Sequence, residues 1–409
     1  MKFLRNLLDK LKPDFEPGGR FGAFQSVFEG LETFLFVPNK TSGSGVHIHD
    51  SIDTKRTMFM VVIALFPALL FGMYNVGYQH YLAIGQLSVG YREIFLFGFL
   101  SVLPQLIVSY GVGLSIEFMA AQWRKHEIQE GFLVSGMLIP MIVPVDTPLW
   151  MIAVATAFAV IFAKEVFGGT GMNIFNVALV TRAFLFFSYP SKMSGDRVFI
   201  RLSETFGLGA GTPVDGFSGA TPLGQAATAT AHTVQLTDIL GNPLSAWDLF
   251  WGFIPGSIGE TSKFAILLGA VFLIITGIAD WRIMISVFVG GFCMGTILNA
   301  VGTTAAMNIS AYEHLLLGGF AFGAVFMATD PVTSARTVSG KYIYGFLIGL
   351  FGILIRVINP GYPEGMMLAI LLMNMFAPVI DYFVVQANIK RRLKRMRVKK
   401  ENTTGLKSD

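Results

Sequence analysis

Uninterrupted apolar stretches about as long as a bilayer core is thick recur along this chain, and no other feature restricts its fold so severely. The strongest are "TMFMVVIALFPALLFGMYNV" from Thr57, "IFLFGFLSVLPQLIVSYGVGLSI" from Ile94 and "IMISVFVGGFCMGTILNAVG" from Ile283. A helix crossing hydrocarbon needs about 20 apolar residues. Hydrocarbon offers no partner to a free backbone N–H or C=O, so the spanning elements must satisfy their own backbones. Charged residues make up 14% of the 409 and apolar ones 53%, against about a quarter charged in a soluble domain. The reading is an all-α integral membrane protein. Ten candidate transmembrane helices fall at 57–76, 94–120, 131–144, 148–166, 173–188, 263–279, 283–302, 313–328, 342–358 and 364–385. The shorter ones are expected to be broken helices that line a protein interior.

Basic residues stay on the cytoplasmic side of a membrane. Lys2, Arg5, Lys10, Lys12, Arg20, Lys40, Lys55 and Arg56 precede the first span; Lys390, Arg391, Arg392, Lys394, Arg395, Arg397, Lys399 and Lys400 follow the last. Both termini are therefore expected inside, which requires an even number of spans. Arg124 with Lys125, Arg282, and Arg336 with Lys341 fall on the same side. The organisation expected is a cytoplasmic segment 1–56, a five-helix repeat 57–188, an external loop 189–262, a second five-helix repeat 263–386 and a basic cytoplasmic tail 387–409. Five spans per half make the halves inverted if they are related. "EGFLVSGMLIP" and "GGFAFGAVFMATDP" are short Gly-bearing spans at corresponding places, followed by "KEVFGGTGMNIFNVALVTRAF" and "IRVINPGYPEGMMLAILLMNMF". Paired breaks predict discontinuous helices facing a central pathway, where isolated glycines would serve only close packing. Phe3, Leu4, Leu7, Leu8 and Leu11 lie at helical spacing among basic residues up to Pro13. They predict a short amphipathic helix, either an anchor or docking element or simply a basic tail. No signal-peptide h-region precedes it, so this segment is expected to be retained.

The external loop contains "DGFSGAT", Asp215 to Thr221, with too few large apolar residues to build a core of its own. Thr221 offers a hydroxyl flanked by Gly219 and Ala220, which leave room for a bulky reagent, with Ser218 and Asp215 nearby. A threonine is a poor nucleophile unaided, so a modifying enzyme would have to activate it. The single cysteine, Cys293, forms neither a disulfide nor an iron–sulfur cluster within this chain. The net charge of +4 is explained by the cytoplasmic ends rather than by nucleic acid. Glu130, Asp330 and Asp381 fall at cytoplasmic span ends, where carboxylates either collect a hard cation or serve as solvated caps. Glu260, Glu364 and Arg356, at the outer side, are expected to form an exit or a structural ion pair. His47 and His49 share one face of an extended segment, with no further ligand in view.

The stretch Asp215, Ser218, Gly219, Ala220, Thr221 resembles the flavinylation motif at which a flavin transferase attaches FMN to threonine through a phosphoester. The pattern is Asp, two residues, Ser or Thr, Gly, Ala, Thr, and every fixed position matches. "DFEPGG", "FPALLFGMYNVG", "KEVFGGTG", "RAFLFFSYP", "IPGSIGE", "LGGFAFGAVFMATDPV", "RVINPGYPEGMMLAIL" and "DYFVVQANIKRR" extend the resemblance across nearly the whole chain, to the B subunits of the sodium-translocating NADH:quinone reductases (NQR). The D subunits of Rnf complexes are homologous, but the long basic N-terminal extension resembles NQR. The resemblance implies a urea-transporter-like architecture of two inverted repeats in the bacterial inner membrane, with the A, C, D, E and F subunits of NQR, the flavin transferase and membrane lipid as partners. It implies covalent FMN on Thr221, noncovalent riboflavin, ubiquinone or menaquinone as substrate, and Na+ as cargo. It places the quinone region at Glu130, Gly131 and Phe132, and the sodium path at Glu130, Asp330 and Asp381. The absence of a Rossmann-type fingerprint and of cluster cysteines agrees with electrons arriving from partner subunits. An Rnf-type ferredoxin:NAD oxidoreductase subunit, a solute channel of urea-transporter-like fold, and a structural anchoring subunit stand as alternatives.

Overall fold

The computed structural model describes residues 2–15, 54–86, 88–124, 131–194, 198–215, 217–229 and 235–405, with a few isolated positions between them. Among these the chain is helical, and its only β pairing is two isolated bridges, Thr205 with Leu208 and Thr237 with Pro243. The N-terminal amphipathic helix is present as α1 (Lys2–Phe15). It runs past Pro13 instead of stopping there, although proline at that position leaves the Asp9 carbonyl without its backbone donor. Lys12 reaches Glu32 at 3.1 Å.

In chain order there follow α2 (Thr54–Ala83), α3 (Tyr91–Arg124), α4 (Phe132–Ile142), α5 (Leu149–Ala159) and α6 (Val177–Ser188). α5 continues through a π-turn, Val160–Lys164, and a short 3-10 turn. The connection between α6 and the second half of the chain supplies α7 (Pro222–Thr228) and α8 (Ala246–Trp251). Then come α9 (Lys263–Ile275), α10 (Trp281–Val301), α11 (Ala311–Leu316), α12 (Phe320–Phe322), α13 (Val338–Ile358) and α14 (Met366–Gly405). Six of these elements (α2, α3, α5 with its extension, α10, α13 and α14) are long and apolar enough to cross a membrane, and α4, α6 and α9 are shorter apolar helices. The span expected at 313–328 is split: α11 ends at extended Leu317 and Gly318 (φ +56°), and α12 restarts and passes into a second π-turn, Gly323–Met327.

Local chemistry sets these boundaries. Asn176 caps α6 by accepting from the N–H groups of Ala178 (3.0 Å) and Leu179 (3.3 Å), so that helix starts later than the apolar run that begins near 173. Ser262, Asp280 and Thr337 cap α9, α10 and α13 in the same way, each side-chain oxygen answering a donor the helix cannot. α14 runs far past the expected end at 385, because "QANIKRRLKRMRVKK" consists of residues that favour or tolerate a helix.

Glycines let the long helices touch backbone to backbone. A Cβ at Gly98 would strike the Met73 carbonyl across the α2–α3 seam, and one at Gly290 or Gly349 would strike Phe346 or Val287 across the α10–α13 seam. Close approach of small residues supplies the packing that hydrophobicity cannot supply between helices in lipid. The two broken elements are seated alike. Phe132, at the start of α4, and Phe320, at the start of α12, are both fully buried. Each ring fills the space where Gly113 of α3 or Gly291 of α10 lacks a side chain. The connection that carries α7 and α8 also packs: Leu223, Ala226, Leu236, Leu249 and Ile254 share a small core with Ile309 and Leu317 of the bundle.

Candidate functional site

At the loop end of the bundle, the segment carrying Thr221 is pinned at both sides. Val214 N donates to the last carbonyl of α2, Ala83 O, at 2.9 Å. The buried ring of His80, one turn earlier, lies between the carbonyls of Arg201 and Gly209. Asp215 and Ser218 are exposed, Gly219 is buried, and Ala220 and Thr221 are half-buried. Thr221 caps α7: its Oγ1 accepts from Gly224 N at 3.1 Å, which leaves the hydroxyl proton free. Gln225 fixes the geometry from behind. Its amide donates to Ala220 O (3.2 Å) and Thr237 O (2.8 Å) and accepts from Thr237 N (2.9 Å). Nothing local in the sequence distinguishes Gln225 from an ordinary helical glutamine, so its role emerges only from the fold.

Thr221 opens onto a cavity of about 100 Å³ whose walls include Arg182, Phe186, Phe199, Tyr362 and Glu364. Arg182 is 2% exposed and comes from α6, within the quoted stretch "RAFLFFSYP". An arginine inside an apolar run marks a function or a buried pairing, and that signal was available in the sequence. It donates to Ile142 O, the last carbonyl of α4, and to Glu260 Oε1 at 3.1 Å, and it forms an ion pair with Glu364. Its buried Nε has no hydrogen-bond partner among the described residues, and the buried Tyr362 hydroxyl, which lies beside the Arg182 guanidinium, finds no acceptor there for its proton. The expected grouping of Arg356 with the two glutamates is thus rearranged: Glu260 and Glu364 share Arg182. Arg356 instead donates to His314 O (2.6 Å) and Leu317 O (3.1 Å). Lys263 donates to Glu260 O, Thr261 O and Gly318 O. These cations answer the free carbonyls where α4 and α11 stop inside the protein. The cavity suits a phosphoester-linked FMN: a reachable hydroxyl, aromatic walls for a flat apolar ring, and unused donors for its polar edge.

At the opposite end a second cleft gathers the start of α2 (Thr57, Met58), the start of α4 (Gly131, Ser135), the α5–α6 connection (Lys164, Thr170, Asn173, Asn176), the end of α9 and the end of the α12 element (Thr329, Asp330). Asp330 accepts from Val332 N (3.0 Å), Thr333 Oγ1 (3.2 Å) and Asn176 Nδ2 (3.3 Å). Gly131 lines the cleft, and a Cβ there would strike Thr170. Phe132 turns away into the core, edge-on to Tyr110 at 6.4 Å. Glu130, His47 and His49 lie outside the described residues. Asp381, on α14, is not among the cleft's lining residues. Its carboxylate accepts from Arg336 N (2.7 Å), Thr337 N (3.0 Å) and Thr337 Oγ1 (2.5 Å), and so holds the start of α13. The structure thus brings Gly131 and Asp330 together and sets Phe132 and Asp381 apart from them. A buried ion pair, Lys164 with Glu117, borders the cleft; the sequence alone did not point to it. Both π-turns adjoin this cleft, through Lys164 and Phe326, and such turns occur often at functional sites. No cluster of three or more His, Cys, Asp or Glu side chains capable of holding a metal occurs among the described residues.

Comparison with known proteins shows the family of the chain. Residues 41–390 match the model of the NQR2, RnfD, RnfE family. The chain is 45% identical to the B subunit of the Na(+)-translocating NADH-quinone reductase of Chromohalobacter salexigens, across 96% of each chain. It is 45% identical to the protein of the same name from Pseudoalteromonas atlantica and 43% identical to that of Klebsiella pneumoniae, in each case over 96% of this chain and 99% of the relative. By the extent of both matches, the chain belongs to the NQR2, RnfD, RnfE family.

Proposed function

We propose that this chain is the membrane-embedded B component of a sodium-translocating NADH:quinone reductase, carrying FMN on Thr221 and passing electrons through riboflavin to quinone while Na+ crosses the membrane. The observation that carries the reading is the full-length likeness to proteins of that name, joined to a Thr221 hydroxyl poised over an aromatic cavity. The Rnf-type and solute-channel alternatives are not favoured by relatives that are B subunits along their whole length. The residues would divide the work by the end of the bundle they occupy. At the outer end, Asp215, Ser218, Gly219 and Ala220 present Thr221 to a transferase, which supplies the activation the hydroxyl lacks. The bound flavin then supplies one-electron and two-electron redox chemistry that no protein side chain here provides.

At the inner end, Asp330 collects sodium from the cleft. Glu130, Gly131 and Phe132 mark the quinone region beside it, and Asp381 acts through the position of α13. Supporting ten spans in two inverted repeats are the paired seating of Phe132 and Phe320 against glycines and the paired π-turns. With both termini cytoplasmic in the bacterial inner membrane, the flavin site faces outward. The A, C, D, E and F subunits complete the complex and deliver electrons from NADH.

The test is intact-mass and in-gel fluorescence analysis of the protein purified from its host, wild type beside Thr221→Ala. A mass increment equal to FMN less water and a fluorescent band, both absent from Thr221→Ala, are expected. A fluorescent Thr221→Ala band would place the attachment elsewhere, and a wild type without flavin would overturn the reading.

A further inference from the structure

We infer that Arg182 and Tyr362 form the docking site for the polar edge of the flavin ring and favour its reduced, anionic form. The inference rests on attachment at Thr221. The same cavity that Thr221 borders is walled by both residues, and each keeps a buried donor unused: Nε of Arg182 and the hydroxyl of Tyr362. Buried donors left unpaired are costly, and such positions call for a partner. Phe186 stands edge-on to Tyr362 at 4.2 Å and Phe199 completes an apolar wall. The site is therefore amphipathic in the sense that a flavin ring is: an apolar dimethylbenzene edge and a pyrimidine edge of carbonyls and ring nitrogens. Negative charge gathers on that pyrimidine edge when the ring is reduced, so a cation and a hydroxyl donor facing it bind the reduced form more tightly than the oxidised one. Glu364 tempers the effect. Its carboxylate pairs with Arg182 from the cavity side, offsetting part of the guanidinium charge that the ring would meet.

Two substitutions should then move the flavin's midpoint potential in opposite directions. Tyr362→Phe removes a donor and keeps the ring that packs on Phe186, so the reduced form loses about tenfold in relative stability. That is a fall of about 59 mV for a one-electron couple. Glu364→Gln frees the Arg182 charge, and the potential should rise by a comparable amount. The measurement is a spectroelectrochemical titration of the purified complex, with the Thr221→Ala complex subtracted so that only the Thr221-linked flavin contributes. Opposite shifts, with flavin attachment intact on a gel, support the docking site. Unchanged potentials in both variants, or shifts of the same sign, overturn it while leaving attachment standing. If the wild-type minus Thr221→Ala difference contains no flavin signal, the attachment itself fails and the docking site with it. Should one variant not assemble, the other alone still decides by the sign of its shift.

Discussion

Asp330 and Asp381 were equivalent in the sequence, two carboxylates at the same membrane face, and the structure gives them different neighbours that Asn substitution can separate. In Asp330→Asn the side chain keeps an oxygen for Val332 N but loses the charge and one acceptor, and turns an N–H₂ group toward Asn176 or Thr333. A unit charge about 4 Å from a sodium ion contributes about 4 kcal/mol at an effective dielectric of about 20. Most of that is returned as the ion and carboxylate are dehydrated; if a third survives, about 1.4 kcal/mol remains, a tenfold change in affinity. Sodium-stimulated quinone reduction by the Asp330→Asn complex should need about ten times more sodium for half effect. Its thermal stability should change little, because a neutral amide is easier to bury than a carboxylate. Asp381→Asn weakens three hydrogen bonds at the start of α13 and should cost about 1 kcal/mol of stability, as lost helix caps do, with the sodium requirement within about twofold of wild type. The assays are a sodium titration of turnover and a thermal-shift measurement on the same purified complexes. Equal sodium curves for wild type and Asp330→Asn, or a displaced curve for Asp381→Asn with unaltered stability, would refute the assignment.

Gly113→Ala should destabilise the bundle by about 1–3 kcal/mol, since the added methyl meets the buried Phe132 ring; Phe132→Leu in the same chain should recover part of the loss in a thermal-shift assay. A cysteine at Asp215 should react with a membrane-impermeant thiol reagent from outside, and one at Arg395 only after permeabilisation; the reverse pattern would invert the topology. Burial pushes the Asp280 carboxyl up, but hydrogen bonds from Lys341 and from Arg282 N outweigh it and hold the carboxyl below its ordinary range. A depressed carboxylate stabilises above its unfolded value and loses that contribution as pH falls through the folded one. The melting-temperature gap between wild type and Asp280→Asn should therefore be constant above about pH 5 and close on further acidification.

The long spans were legible because an apolar run of bilayer length admits one solution, and Thr221 stood out as a candidate because its motif is local and contiguous. Arg182 illustrates what was not. Its residue type in an apolar stretch signalled burial, but its partners Glu260 and Glu364 lie 78 and 182 positions away, and sequence separation of that size carries no pairing information. Gly131 and Phe132 are adjacent in sequence yet face a cleft and a core, since neighbours on a helix point about 100° apart. The split between α11 and α12 was foreshadowed by Gly318 and Gly319, while the carbonyls it frees, and the cations Arg356 and Lys263 that answer them, appear only once the chain is folded.

The final helix has a mechanical consequence. α14 continues unbroken for 40 residues, about 60 Å at 1.5 Å per residue, roughly twice the thickness of a bilayer core. About half of it therefore stands beyond the hydrocarbon as a stiff rod studded with Lys and Arg. A rod of that length has the geometry of a lever: a tilt of about 10° at its root would swing the tip by about 5 Å.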